Sequence, residues 1–183
     1  MKTRIAVAFF SIILACVPVI VLGQSGSTDR DQITSGIPAS EGELSPAVRA
    51  RIDRGDGRTG SVTFAQAAEQ YFAAAEMARQ EGHLPSLSMW RLANTWFHDG
   101  QFNRAAHVLD QLADEAARAG DLPVQALALY YSAWVNGKAG RGSDMSNRLK
   151  QVQTLLRSPY MPVGTRTHVG DLLNAPSSVA RKP

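Results

Sequence analysis

The sequence predicts an all-α protein, a solenoid of antiparallel helix pairs. Three observations carry that reading. From residue 64 to residue 157, apolar residues recur at three- and four-residue spacing, which is the period of one helix face. Gly82, Gly100 and Gly120 stop these stripes, as residues that accept a left-handed backbone do. The chain also copies itself: Gly82-His83-Leu84-Pro85 matches Gly120-Asp121-Leu122-Pro123, and Trp96 matches Trp134 at the same offset. The resulting period of about 38–40 residues lies in the range of stacked helical repeats.

The chain opens with Lys2 and Arg4 ahead of an apolar run, residues 5–22. A basic start, an apolar centre and small residues near Gly23 read as a secretory signal, residues 1–23, cut after Gly23. Two alternatives stay open. The run is long enough to remain as a membrane anchor, which takes roughly 17–25 residues. Lipidation at Cys16, after Ile13-Leu14-Ala15, is the other. Cys16 is the only cysteine. With the leader removed, the chain has no disulfide, no thiolate metal site and no cysteine nucleophile.

Residues 24–60 are rich in Gly, Ser, Asp, Thr and Arg and poor in large apolar residues. Such a segment buries too little surface to offset its ordering entropy and reads as a disordered stalk. One short helix, 45–53, fits within it: Pro46 suits a first helical position, and Val48 and Ile52 share a face. The stalk also contains Arg54-Gly55-Asp56, an adhesion-type tripeptide that three common residues in a polar loop produce by chance.

The helical domain is expected over 61–158. Its first helix, 64–81, opens with the capping-box spacing Thr63 to Gln66 and carries the stripe Phe64, Ala67, Ala68, Tyr71, Ala74, Ala75, Ala78. With no apolar helix ahead of it, it reads as a half-repeat. The second helix, 86–99, carries Met89, Leu92, Ala93, Trp96 and Phe97. The third, 102–119, follows after a turn so short that the two must be antiparallel neighbours. Its stripe is Phe102, Ala105, Ala106, Leu109, Leu112, Ala113, Ala116. The fourth, 122–138, has Pro123 in its first turn, where a missing N–H costs nothing. The fifth, 144–157, carries Met145, Leu149, Val152 and Leu156, after a turn read as two residues longer, with Gly142 where an aromatic is expected. Ser158-Pro159 breaks the helix. Residues 159–173 read as a C-terminal cap, with a short helix over 165–173 and Val169, Leu172 and Leu173 inward. The tail, 174–183, is polar and reads as disordered. Trp96 and Trp134 are both expected in the core.

The hairpin pattern Leu92-Ala93, Trp96, Gly100, Phe102, Ala105, Leu109, Leu112 resembles the tetratricopeptide repeat (TPR). Two features depart from that family: the long second helix of the pair, reaching Arg118, and the absence of a closing proline. The resemblance implies a protein-interaction scaffold whose first helices line a groove. On that implication the candidate binding residues are Trp90, Asn94 and His98, four apart on one helix, with Ser132 and Asn136 at matching places on the next. Asn side chains can bond both peptide donors and acceptors, and Trp is a frequent anchor.

Charge and motif content narrow the function classes. The net charge is +3, but the basic excess lies in the leader, stalk and tail, so no single basic face speaks for nucleic acid. Possible metal ligands are poorly spaced: His83, His98, His107 and His168 form no ligand pair. His107 with Asp110 reads as a solvated surface pair. Gly-x-Ser-x-Gly, phosphate-loop and His-Glu-x-x-His patterns are absent, and no nucleophile, base and orienting group assemble. The expectation is a non-enzyme without metal or cofactor, exported to a bacterial periplasm or outside the cell, binding another protein or peptide. The alternatives are a membrane-anchored structural subunit of an envelope complex, held through residues 5–22, and a small enzyme with an unrecognised site.

Overall fold

The structure is a computed structural model and describes residues 44–57 and 63–174. The expected leader with Cys16, most of the expected stalk and nearly all of the tail lie outside the described residues. The described residues form seven helices and no strand: α1 (Pro46–Gly55), α2 (Phe64–Gln80), α3 (Ser86–His98), α4 (Phe102–Ala119), α5 (Leu122–Lys138), α6 (Gly142–Leu156) and α7 (Val163–Asn174). From α1 to α6 each helix packs on its successor, whereas α7 packs on α5.

The folded body begins earlier than residue 61. α1 starts where Ser45 accepts a hydrogen bond from the Val48 amide, with Pro46 in the first turn. Val48 and Ile52 are buried against α2. The segment read as stalk therefore supplies a packed helix, and α2 is not a half-repeat: α1 precedes it and covers it. Two large apolar side chains suffice because the α2 face they meet is mostly alanine, which lets the backbones approach. α2 itself opens with the expected capping box, both bonds present between Thr63 and Gln66.

The turns repeat one geometry. Gly100 and Gly140 are left-handed, with φ of 74° and 76°. After each, an amide reaches back five residues, Gln101 to the Trp96 carbonyl at 2.8 Å and Arg141 to that of Asn136 at 2.9 Å. The α5–α6 turn is thus no longer than the α3–α4 turn, and α6 begins at Gly142 rather than 144. The two additional residues lie in the end of α5, as Gly137 and Lys138. The helix start is set by the left-handed cap two residues earlier, so α6 needs no aromatic at its first position.

α3 and α5 hold no exposed residue, while α2, α4 and α6 each keep an open face. A helix with neighbours on several sides buries more than the single stripe that periodicity marks. The tryptophans show this. Trp90, read as surface, is 3% exposed, whereas Trp96 and Trp134, read as core, are half-buried. At the other end, Val169 of α7 is fully buried and Leu172 and Leu173 pack partly against the core.

Candidate binding surface

Side-chain contacts join helices two apart, in two sets. Among the odd-numbered helices, Arg91 of α3 lies 3.6 Å from Asp56 at the end of α1. Trp90 meets Tyr131 edge-on at 4.4 Å, and Phe97 meets Trp134 at 4.8 Å, both joining α3 to α5. The Tyr130 hydroxyl of α5 donates to the Leu172 carbonyl of α7 at 3.2 Å. Among the even-numbered helices, Arg79 of α2 grips both oxygens of Glu115 on α4, at 3.1 and 2.8 Å. Arg148 of α6 grips both oxygens of Asp110 on α4, each at 2.8 Å. Two-pronged pairs of this kind fix geometry as well as charge.

The five sequence-predicted binding residues divide. Ser132 is buried and donates to Asp110 at 2.6 Å. Asn136 is buried, donates to the Ser132 carbonyl at 2.8 Å, and accepts from Arg141 Nε at 2.7 Å. These two belong to an internal polar chain from Arg148 through Asp110, Ser132 and Asn136 to Arg141, and not to an open ladder. Trp90 is sealed against Tyr131. The four-residue spacing does put Trp90 and Asn94 on one stripe, but that stripe faces the neighbouring helix α5. Asn94 and His98 remain partly exposed.

Asn94 borders a crevice between α3 and α5, lined by Trp90, Phe97, Tyr131 and Trp134 among others. Its volume is about 10 Å³, room for one water-sized group. Asn94 Oδ1 is itself buried and has no hydrogen-bond partner among the described residues. A buried acceptor left unpaired costs free energy, so a donor arriving at this point gains more than an ordinary surface hydrogen bond would give.

Two further constellations escaped sequence reading. Arg54-Gly55-Asp56 is engaged within the fold: Arg54 donates to Gln70 at 3.2 Å, Gly55 lies under the Tyr71 ring, and Asp56 accepts from the Tyr71 hydroxyl at 2.6 Å. Burial, then the Asp56 hydrogen bond, pushes the Tyr71 phenol above its ordinary range. Asp110, read as the surface partner of His107, does feel the His107 charge, but its hydrogen bonds go to Arg148 and Ser132. Burial alone would raise its pKa, but the hydrogen bonds from Arg148 and Ser132 outweigh that and hold it below the usual carboxylate value. A separation close to the 38–40-residue spacing of the sequence was the one available signal, since Arg79–Glu115 and Arg148–Asp110 are 36 and 38 residues apart.

Among the described residues no group of three or more His, Cys, Asp or Glu is placed to hold a metal ion, and no helix is long and apolar enough to cross a membrane. Comparison with protein-family models, curated proteins and solved structures finds no match.

Proposed function

We propose that this chain is an exported, TPR-like helical-repeat scaffold that binds another protein along the odd-numbered helices. The leader at residues 1–23 carries the export reading, and the repeat reading rests on the period of the sequence. The two sets of contacts between helices two apart support it, because a stacked array of hairpins must join each unit to the next in both layers. One observation carries the placement of the surface: the unpaired carbonyl of Asn94, a residue that borders the aromatic crevice between α3 and α5. The crevice itself admits no more than a water-sized group, so a partner would meet the exposed part of Asn94, with the half-buried rings of Phe97 and Trp134 as apolar contact area.

The reading dispenses with Trp90, Ser132 and Asn136 as contacts and keeps Asn94 and His98. The test is site-specific photo-cross-linking in the native cell envelope, with the reactive group at Asn94 or at Asn147, an exposed residue of α6. A discrete cross-linked protein from position 94 and none from 147 is the expected result. Equal yield from both positions, or none from 94, removes the surface from this face.

A further inference from the structure

The α6–α7 connection, residues 157–162, and the first residue of α7 carry the two most exposed large apolar side chains of the described residues. Tyr160 is 85% exposed and Val163 73%. Pro159 and Pro162 are exposed beside them. The backbone that presents them is tied down. The Met161 amide donates to the Ser158 carbonyl at 3.1 Å, and the Tyr160 amide to Ser158 Oγ at 3.3 Å. Arg166 Nη2, in the first turn of α7, donates to the carbonyls of Ser158 and Met161 at 3.0 and 3.2 Å. Each proline fixes its own φ, and the Met161 side chain is buried. Tyr160 and Val163 thus project from a held loop. A single exposed apolar residue is ordinary, but two adjacent ones on a rigid apex form a patch without cover.

The charge around this patch is of one sign. Residues 145–170 contain no Asp or Glu and four Lys or Arg. Arg148 is engaged by Asp110. Lys150, Arg157 and Arg166 are exposed, and no carboxylate pairs with them among the described residues. Lys150 and Arg157 share one stripe of α6, and Arg157 leads into the loop. Asp114 and Asp121 reach this end from α4 and from the α4–α5 turn. Asp114 lies in the field of Arg148, and Asp121 accepts from the Val124 amide. Asp171 follows further along α7.

We propose that this apex is a peripheral membrane contact: Tyr160 and Val163 enter the interface of an anionic lipid bilayer, and Lys150, Arg157 and Arg166 meet its phosphates. A tyrosine ring suits that depth, with its apolar body inward and its hydroxyl among the headgroups. Cations close to an anionic leaflet add to the attachment, and guanidinium groups match phosphate geometry. A protein partner would need a cleft shaped to the projecting side chains, whereas a bilayer needs none. The held loop also brings little ordering cost to the contact. Attachment is to the surface, since no described helix is long and apolar enough to cross a membrane. The inference goes beyond the scaffold reading and uses none of the residues around Asn94.

The experiment adds the full chain to vesicles of phosphatidylglycerol and phosphatidylcholine in equal parts and reads hydrogen exchange over residues 157–166. The first-turn amides of α7 have no acceptor within the helix, so they exchange fast in the free chain and report cover. Vesicles of phosphatidylcholine alone, into which the leader can also insert, give the baseline. Added protection over 157–166 on the anionic vesicles, fading at high salt, is expected. Lys150→Gln with Arg157→Gln should reduce that added protection about fivefold. Tyr160→Ser with Val163→Ser should reduce it by a similar factor. All four side chains are exposed, so the fold is kept, and circular dichroism checks it. Arg104→Gln, at the opposite end of the helices, should change nothing. Absence of added protection, equal protection on phosphatidylcholine, or equal loss in Arg104→Gln overturns the proposal. So does protection by soluble poly-glutamate without protection by vesicles, which would make the apex a site for an acidic protein. Failure here with cross-linking from position 94 intact removes the membrane contact and leaves the scaffold reading.

Discussion

A Cβ on Gly55 would stand 2.5 Å from Tyr71 Cε1, so α1 can end against that ring only because residue 55 has no side chain. The same contact lets Asp56 reach the Tyr71 hydroxyl and Arg91. Single residues decide packing in this way at the tryptophans too. Trp90 is sealed among Tyr131 and its neighbours, whereas Trp96 keeps one face for Arg104. Trp90→Ala should therefore cost about 3–5 kcal/mol, the range for a large aromatic deleted from a core. Trp96→Ala should cost about 1–2 kcal/mol, from partial burial and one cation–π contact. Urea unfolding of the two variants checks the order. If Trp96→Ala proves the more damaging, the burial of α3 is wrongly described.

At the scale of elements, α4 is held from both sides by its carboxylates, Glu115 toward α2 and Asp110 toward α6. The second grip is coupled to the Ser132–Asn136 chain in α5, so Asp110 ties its own helix to two others. Asp110→Asn keeps the shape but loses the charge-assisted pair, and should cost about 2 kcal/mol at neutral pH. The pH dependence follows from the depressed carboxyl pKa. Its contribution is fully present above the ordinary value of 3.8 and is lost as the pH falls through the lower folded value. Urea midpoints of the parent and Asp110→Asn should thus differ at pH 7 and converge only below 3.8. A gap that closes already between pH 7 and 5 would assign the stabilisation to some other group.

Over the whole molecule, α7 closes the described body by lying on α5 rather than continuing past α6. Val169 of α7 is buried in the core, and Tyr130 is bonded to the Leu172 carbonyl. Ending the chain after Arg157 should lower the unfolding free energy by about 2 kcal/mol, the burial of α7 side chains less the entropy of ordering the helix. The remaining helices should persist, since their contacts run between neighbours. Far-UV circular dichroism with urea unfolding reads both effects. An unchanged midpoint would show that α7 contributes nothing to the body.

Helix identity and most helix boundaries were legible in the chain alone. Those properties are local: a stripe at three- and four-residue spacing, a capping box at Thr63, and a glycine where the backbone turns left-handed. α1 was visible as a short helix but not as a packed one, because Val48 and Ile52 acquire meaning only against the alanine face of α2. Of the expected binding residues, the sequence could align Trp90, Asn94 and His98 on one stripe but not say what the stripe faces. Ser132 and Asn136 were misplaced for the same reason. Their partners are Asp110, 22 residues away on another helix, and Arg141, beyond the next turn. Periodicity reports which residues share a face. Which face meets solvent depends on how many neighbours surround the helix, and only the tertiary packing of α3 between α2, α4 and α5 decides that.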